Sequence, residues 1–276
     1  MLHPFFIMGV MNVTPDSFSD GGRSATLDGF VHHLNLLKPY CDVIDIGAES
    51  TAPFNDGVTF VQEKERLMPI LSYLKTLGQD HFLLSLDSYK PEIAHWFFSE
   101  LNWSKGIWND VSGIADESVH DFLKKFPNHH YVLCHTHVPS REQVSNHMSF
   151  LNEQAVDVNV IKHFKDADLS SYGKRVVLDP CFGFSKTYEQ NLQLIKDFSI
   201  IEQSFPEHHF IVGLSKKSFL RKNLEIAANK EELMELSEHL HFDLLKNTFH
   251  PMPRNHSLWV RLHRPKLAHL AQMSLS

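Results

Sequence analysis

No hydrophobic run in this sequence approaches the roughly 18 residues that cross a bilayer. No basic segment leads into an apolar core at the N-terminus, so neither a membrane span nor a secretory signal is expected. Cysteine is scarce. Cys41, Cys134 and Cys181 are an odd set without metal-site spacing, which predicts free thiols in a reducing compartment and a cytoplasmic protein. Positive charge is not in excess. A formal net charge of −7 over 276 residues gives no general support for nucleic-acid or anionic-membrane partners. It leaves room for a local basic site that takes an anionic small molecule. There is no GxGxxG string, P-loop, internal repeat or low-complexity tract. Nor is there a Ser-His-Asp order or a reactive-cysteine motif.

What is present is a regular alternation. Apolar residues make up 42% and charged residues 21%, enough for a substantial core in a soluble globule. Short apolar runs at 5–10, 42–47, 81–87, 105–109, 130–135, 175–179, 209–213 and 257–262 read as buried strands. Amphipathic stretches lie between them: 27–39, 61–77, 90–101, 116–126, 149–165, 188–203 and a broken 216–248, with a short tail at 265–274. Eight strands that alternate with helices predict an α/β fold, a (β/α)₈ TIM barrel formed by residues 1–276 as a single domain. An open doubly wound sheet competes, but it needs no eighth strand and usually shows a glycine-rich first turn.

A barrel gathers its chemistry just after the strands. The unusual polar residues collect there. After the first strand comes Asn12-Val13-Thr14-Pro15-Asp16-Ser17-Phe18-Ser19-Asp20-Gly21-Gly22, with an amide, three hydroxyls and two carboxylates. Its residue types are also common turn formers. The later strands end at Asp45-Ile46-Gly47, Asp87, Asn109-Asp110, Cys134-His135, Asp179-Pro180, Ser215-Lys216-Lys217 and Arg261-Leu262-His263.

Three groups follow. Asp87, Asn109 and Asp179 end strands three, four and six. Carboxylates accept paired hydrogen bonds from a flat ring with adjacent N–H groups, and Asn both donates and accepts. With Lys217 they suit a guanidine-like heterocycle such as a pterin. Taken one by one, each is equally well a polar group satisfied inside the barrel. Arg261 and His263 share a face of the last strand, beside the first strand with Asn12, and form a candidate anion site. Thr51, Pro53, Phe184, Ser215 and Lys217 offer a hydroxyl, a proline, an aromatic wall and an ammonium for a carboxylated arene. On composition alone Phe184 is as readily a core residue.

These positions carry a family likeness. The string from Met11 to Gly22 resembles the first signature of the dihydropteroate synthase family, and Asp45-Ile46-Gly47-Ala48-Glu49-Ser50-Thr51 resembles the second. Leu86-Asp87-Ser88, Asn109-Asp110-Val111-Ser112-Gly113, Asp179-Pro180, Gly183-Phe184, Lys186-Thr187, Ser215, Lys217-Ser218-Phe219, Arg261 and His263 follow in family order. The resemblance implies a TIM barrel, usually a homodimer. It implies condensation of 6-hydroxymethyl-7,8-dihydropterin diphosphate with p-aminobenzoate, release of diphosphate, and use of Mg²⁺. It assigns Asp87, Asn109, Asp179 and Lys217 to the pterin. It assigns Asn12, Arg261 and His263 to the diphosphate, with Asn12 also at Mg²⁺. Thr51, Pro53, Phe184 and Ser215 fall in the p-aminobenzoate subsite, and Asp87, Lys217 and Asn12 are the expected catalytic residues.

The chain departs from the family pattern at several places. Ala52 and Phe54 stand in the second loop where Arg and Gly are usual. Lys216 replaces Arg, Cys181 replaces Gly, Cys134-His135-Thr136 replaces Met-His-Met, and Arg264-Pro265 follows His263. Two further functions therefore stand beside the synthase: a diverged pterin-binding paralogue with weak or no condensing activity, and a pterin-binding methyltransferase barrel. Arg261, His263 and the lack of a corrinoid-binding segment speak against the methyltransferase. A purely structural barrel leaves the strand-end clustering without a cause.

Overall fold

The alternation that marks the strands also decides how they close. In the computed structural model the strands are β1 (Phe5–Asn12), β2 (Val43–Gly47), β3 (Leu83–Asp87), β4 (Ile107–Asp110), β5 (His130–Cys134), β6 (Val176–Asp179), β7 (His209–Val212) and β8 (Leu258–Leu262). The structure describes residues 5–14, 27–49, 57–79, 82–152, 154–221, 230–249 and 257–266. All neighbouring strands pair in parallel, and β8 pairs with β1 from Phe5↔Leu258 to Gly9↔Leu262, which closes the barrel. The expected (β/α)₈ TIM barrel is the fold observed.

Helices cover the outside: α1 (Leu27–Leu37), α2 (Phe60–Leu77), α3 (Pro91–Leu101), α4 (Glu117–Lys125), α5 (Val156–Asp166), α6 (Tyr188–Ser204), α7 (Ser218–Arg221) and α8 (Lys230–Leu244). Their ends follow local chemistry. Thr59 with Gln62, and Thr187 with Gln190, form capping boxes that satisfy the first N–H groups of α2 and α6. Asp116 caps α4, and Pro91 opens α3, where a missing N–H costs nothing.

Successive strand residues face opposite ways. Leu84, Leu86, Trp108, Tyr131, Leu133, Phe210 and Val260 face the helices and join the large outer core. Met8, Val43, Ile107, Val132, Val177, Ile211 and Trp259 belong to a separate buried cluster that fills the barrel. Two residues further along each of six strands comes a different storey: Asp45, Asp87 (above Ser85), Asn109, Cys134, Asp179 and Arg261. An apolar plug thus carries a polar layer at the C-terminal ends of the strands.

One element differs from its expectation. The helix expected over 149–165 begins at Val156, and a 3₁₀ segment occupies Arg141–Ser149. Its first residue explains this. The Arg141 guanidinium donates to the Tyr89 carbonyl (3.2 Å), Ser112 Oγ (2.8 Å) and the Ile114 carbonyl (2.7 Å), and it pairs with Asp110. Those contacts tie the start of the segment to the ends of β3 and β4. Of the tail expected as a helix at 265–274, only Pro265 and Lys266 lie within the described residues.

Asp110 is fully buried, and Tyr131 Oη also donates to it (3.0 Å). Removing its cation leaves a buried charge uncompensated. Arg141→Met is expected to destabilise the protein by about 3–5 kcal/mol, seen as a lower urea midpoint at unchanged slope. A loss below about 1 kcal/mol would show that the pair behaves as a solvated surface bridge.

Candidate active site

The polar storey opens into a cleft at the C-terminal ends of the strands. Asp87, Asn109, Asp179, Lys217 and Arg261 line it together with Val111, Cys134, Cys181, Phe182, Phe184 and Gly213. Each strand contributes only one or two of these groups; barrel closure brings them together.

Arg261 ties one side of the cavity. Its Nε donates to Asp45 Oδ2 at 2.7 Å and its Nη2 to Asp87 Oδ2 at 2.5 Å. Asn109 Nδ2 donates to the same Asp45 oxygen at 3.1 Å, which fixes the amide's orientation. Gly47 lies against Asp87. A Cβ there would come 3.3 Å from the Asp87 Cβ, so a side chain would crowd the carboxylate. Burial pushes the Asp87 carboxyl up to about 7, and Asp45 adds to this, while Arg261 pulls it down.

Asp179 forms the opposite wall. Its Oδ1 accepts the Cys181 N–H at 2.7 Å, and its Oδ2 faces the Cys134 thiol at 3.8 Å. Burial raises its pKa against the pull of that N–H, Lys217 and Arg261. Lys217 Nζ sits 4.3 Å from the centre of the Phe184 ring, and burial lowers its pKa. Gly183, at φ 82°, allows the close approach, because a Cβ there would meet the Lys217 stem at 3.2 Å. His147 packs on Phe184 with ring centres 4.3 Å apart. The aromatic wall is therefore held between a cation and a second ring.

The remaining expected residues are placed as follows. His263 Nδ1 lies 3.0 Å from Ser215 Oγ, and the His263 N–H donates to that oxygen at 3.2 Å. The hydroxyl assigned to the arene and the imidazole assigned to the diphosphate thus act as one unit at the rim. Burial, then Lys216, Arg261 and Lys217, push the His263 pKa far down, so it is neutral here rather than cationic. Asn12 ends β1 in an exposed position, in register with Gly47. Thr51 and Pro53, like Ala52, Phe54, Asp16 and Ser17, lie outside the described residues.

The sequence matches the family described as pterin binding enzyme over residues 8–247. It is 31% identical over 219 residues to a dihydropteroate synthase of Clostridium beijerinckii, covering 78% of this chain and 76% of that protein. The chain belongs to the dihydropteroate synthase family of pterin-binding enzymes. A Synechocystis dihydropteroate synthase is 30% identical over 236 residues, with 83% of this chain and 77% of that protein covered. Among solved structures, the Xanthomonas albilineans dihydropteroate synthase with 4-aminobenzoic acid superposes with a TM-score of 0.75 at 25% identity, covering 98% of this chain and 93% of that one. The Thermus thermophilus enzyme in complex with 4-aminobenzoate gives 0.73 at 27% identity, covering 98% and 94%.

Asp45, to which the sequence motifs assign no role, accepts from both Arg261 and Asn109 in this network. Strand alternation held the signal, since Val43, Asp45 and Gly47 share a face and Val43 is in the plug. His147 had no such signal, because it reaches Phe184 from the 3₁₀ segment, distant in sequence. Asp45→Asn removes a like charge beside Asp87 while keeping the shape. The Asp87 pKa is then expected to fall below about 7, read from the carboxyl carbon shift by NMR; an unchanged or higher value would contradict the Arg261 network.

Proposed function

We infer that the protein joins a 6-hydroxymethyl-7,8-dihydropterin diphosphate to p-aminobenzoate, giving 7,8-dihydropteroate and diphosphate. The observation that carries this is the cavity itself. Two carboxylates, an oriented amide and an ammonium line one cavity on top of an apolar plug. Asp179 Oδ2, whose protein neighbour is a weakly donating thiol, accepts from the ring's N–H edge. Asn109, held by Asp45, donates and accepts on the same edge. Lys217 donates to a ring carbonyl oxygen or nitrogen. The ring stacks no closer than the Phe184 wall allows.

Bond cleavage leaves the pterin methylene cationic as diphosphate gains charge. Asp87 and Asp179 favour the first, and the anion goes toward the rim where Arg261 and His263 lie. Arg261 spends Nε and Nη2 on Asp45 and Asp87, which leaves Nη1 for phosphate. His263 is neutral in the free protein, and an arriving anion raises its proton affinity. As the C–O bond to diphosphate breaks, the arylamine nitrogen bonds the methylene carbon and gives up one proton to the departing diphosphate or solvent, so no protein nucleophile is needed. Phe184 and the Ser215–His263 unit border the arene's approach.

Mg²⁺ belongs to the same proposal. The single metal-ligating cluster among the described residues contains two soft thiols, a poor match for this hard ion. The exposed amide oxygen of Asn12 is a suitable hard donor, given that Mg²⁺ keeps several waters and takes its other ligands from substrate phosphates. When bound, Mg²⁺ neutralises the departing diphosphate. The partners are small molecules. Among the described residues no helix is long and apolar enough to cross a membrane. A homodimer is proposed from the family likeness.

Purified protein with the two substrates and Mg²⁺ is expected to form dihydropteroate, and Asp179→Ala is expected to reduce kcat/KM by more than about 100-fold. No product above the blank from wild-type protein at high concentration would overturn the reading. pH gives a second check. Burial raises the Asp87 pKa to about 7, and its ionised form is the stronger acceptor for the ring's N–H groups and the one that favours positive charge on the ring. Pterin affinity is therefore expected to fall about tenfold per pH unit as pH drops below that value, and to level off above it. Calorimetry on Asp87→Asn should give a flat profile; an identical slope in the variant would exclude Asp87 as the titrating group.

A further inference from the structure

The floor of the cavity holds two thiols that the condensation does not use, beside Asp179, which it does. Cys134 Sγ, Cys181 Sγ and a carboxylate oxygen of Asp179 all lie within 4.8 Å of one another, and all three residues are buried. We propose that Cys134, Cys181 and Asp179 form a binding site for a thiophilic divalent cation of the Zn²⁺ class, set in the floor of the pterin cavity. The spacing fits. In a tetrahedral zinc site, bonds of about 2.3 Å to sulfur and about 2.0 Å to oxygen put ligand atoms about 3.5–3.8 Å apart. Cys134 Sγ and Asp179 Oδ2 are already 3.8 Å apart.

The ligands are firmly held. Cys134 ends β5, paired in register with Asp179 at the end of β6. Cys181 follows two residues later at φ 56°, a left-handed position that its N–H bond to Asp179 Oδ1 maintains. That bond occupies one carboxylate oxygen and leaves Oδ2 to ligate. Charge also balances. Binding releases the two thiol protons to solvent. Two thiolates, one carboxylate and a dication then sum to one negative charge, beside the ammoniums of Lys217 and Lys186. Lys186 Nζ is fixed by the carbonyls of His135 (3.0 Å), Cys181 (3.0 Å) and Phe184 (3.1 Å). The fourth position opens into the cavity, where water or a ligand atom completes the tetrahedron.

The site is independent of the synthase reading, but its consequence rests on that reading. Asp179 cannot ligate the cation and accept from the pterin edge with the same oxygen, so the two ligands compete. A cation of this class would be an inhibitor that sits under the ring.

Co²⁺ titration of the reduced, full-length protein tests the site. A single equivalent is expected to give the visible bands of tetrahedral Co²⁺ and thiolate charge-transfer absorption, both abolished by Zn²⁺. Cys181→Gly, which suits the left-handed backbone, and Cys134→Ser are each expected to weaken binding by more than about tenfold. Wild-type protein needs no folded variant for the second readout. Zn²⁺ should slow alkylation of Cys134 and Cys181 and leave the rate at Cys41 unchanged. Octahedral Co²⁺ bands, or alkylation of Cys134 and Cys181 at the same rate with and without Zn²⁺, would overturn the site. Adding 6-hydroxymethylpterin diphosphate to the Co²⁺ protein then separates the two claims. Loss of the tetrahedral bands supports competition. Persistence of those bands beside bound pterin overturns competition and the placement of the ring on Asp179, while the metal site stands.

Discussion

One guanidinium organises the top of this barrel. Arg261 joins Asp45 to Asp87, and Asp45 in turn orients Asn109. Three carboxylates gathered over an apolar plug would otherwise repel one another in a poorly solvated space. Removing one partner of such a buried set is costly, on the order of 3–5 kcal/mol. Arg261 lies on β8 and its two partners on β2 and β3, so the network forms only when the last strand meets the first. Closure of the barrel and assembly of the site are the same event.

The same economy of charge shapes the opposite wall. Asp179 keeps one oxygen bound to a backbone N–H and the other beside a thiol, while Lys217 rests on Phe184 and Lys186 is held by three carbonyls. Burial raises the carboxyl pKa values and lowers those of the ammoniums. These groups are poised for a ligand that supplies N–H donors to the acids and acceptors to Lys217. A reduced pterin supplies both on one planar ring.

Much of this was legible in the sequence. The eight strands stood out because each is a short apolar run bounded by turn residues, and parallel strands covered by helices are apolar on both faces. Asp87, Asn109, Asp179, Lys217 and Arg261 were read as pocket residues from their positions after strands, and the structure brings those five together. Ser215 and His263 stand 48 positions apart in the sequence, and only the pairing of β7 with β8 brings them into contact. The 3₁₀ segment from Arg141 was missed because a long-range ion pair, not local periodicity, holds it. His263 was read as a donor or a charge, and only burial beside three cations settles it as neutral. The two thiols looked like a weakening of the family pattern. Only the register of β5 against β6 shows that they meet.

The most direct measurement is a structure of the crystalline protein soaked with 6-hydroxymethyl-7,8-dihydropterin diphosphate and p-aminobenzoate. The ring should lie in the polar storey, with its N–H edge on Asp179 and Asn109 and its diphosphate toward Arg261 and His263. A ring bound elsewhere, with the Arg261 bridge and the Asp179 oxygen unchanged, would contradict the account.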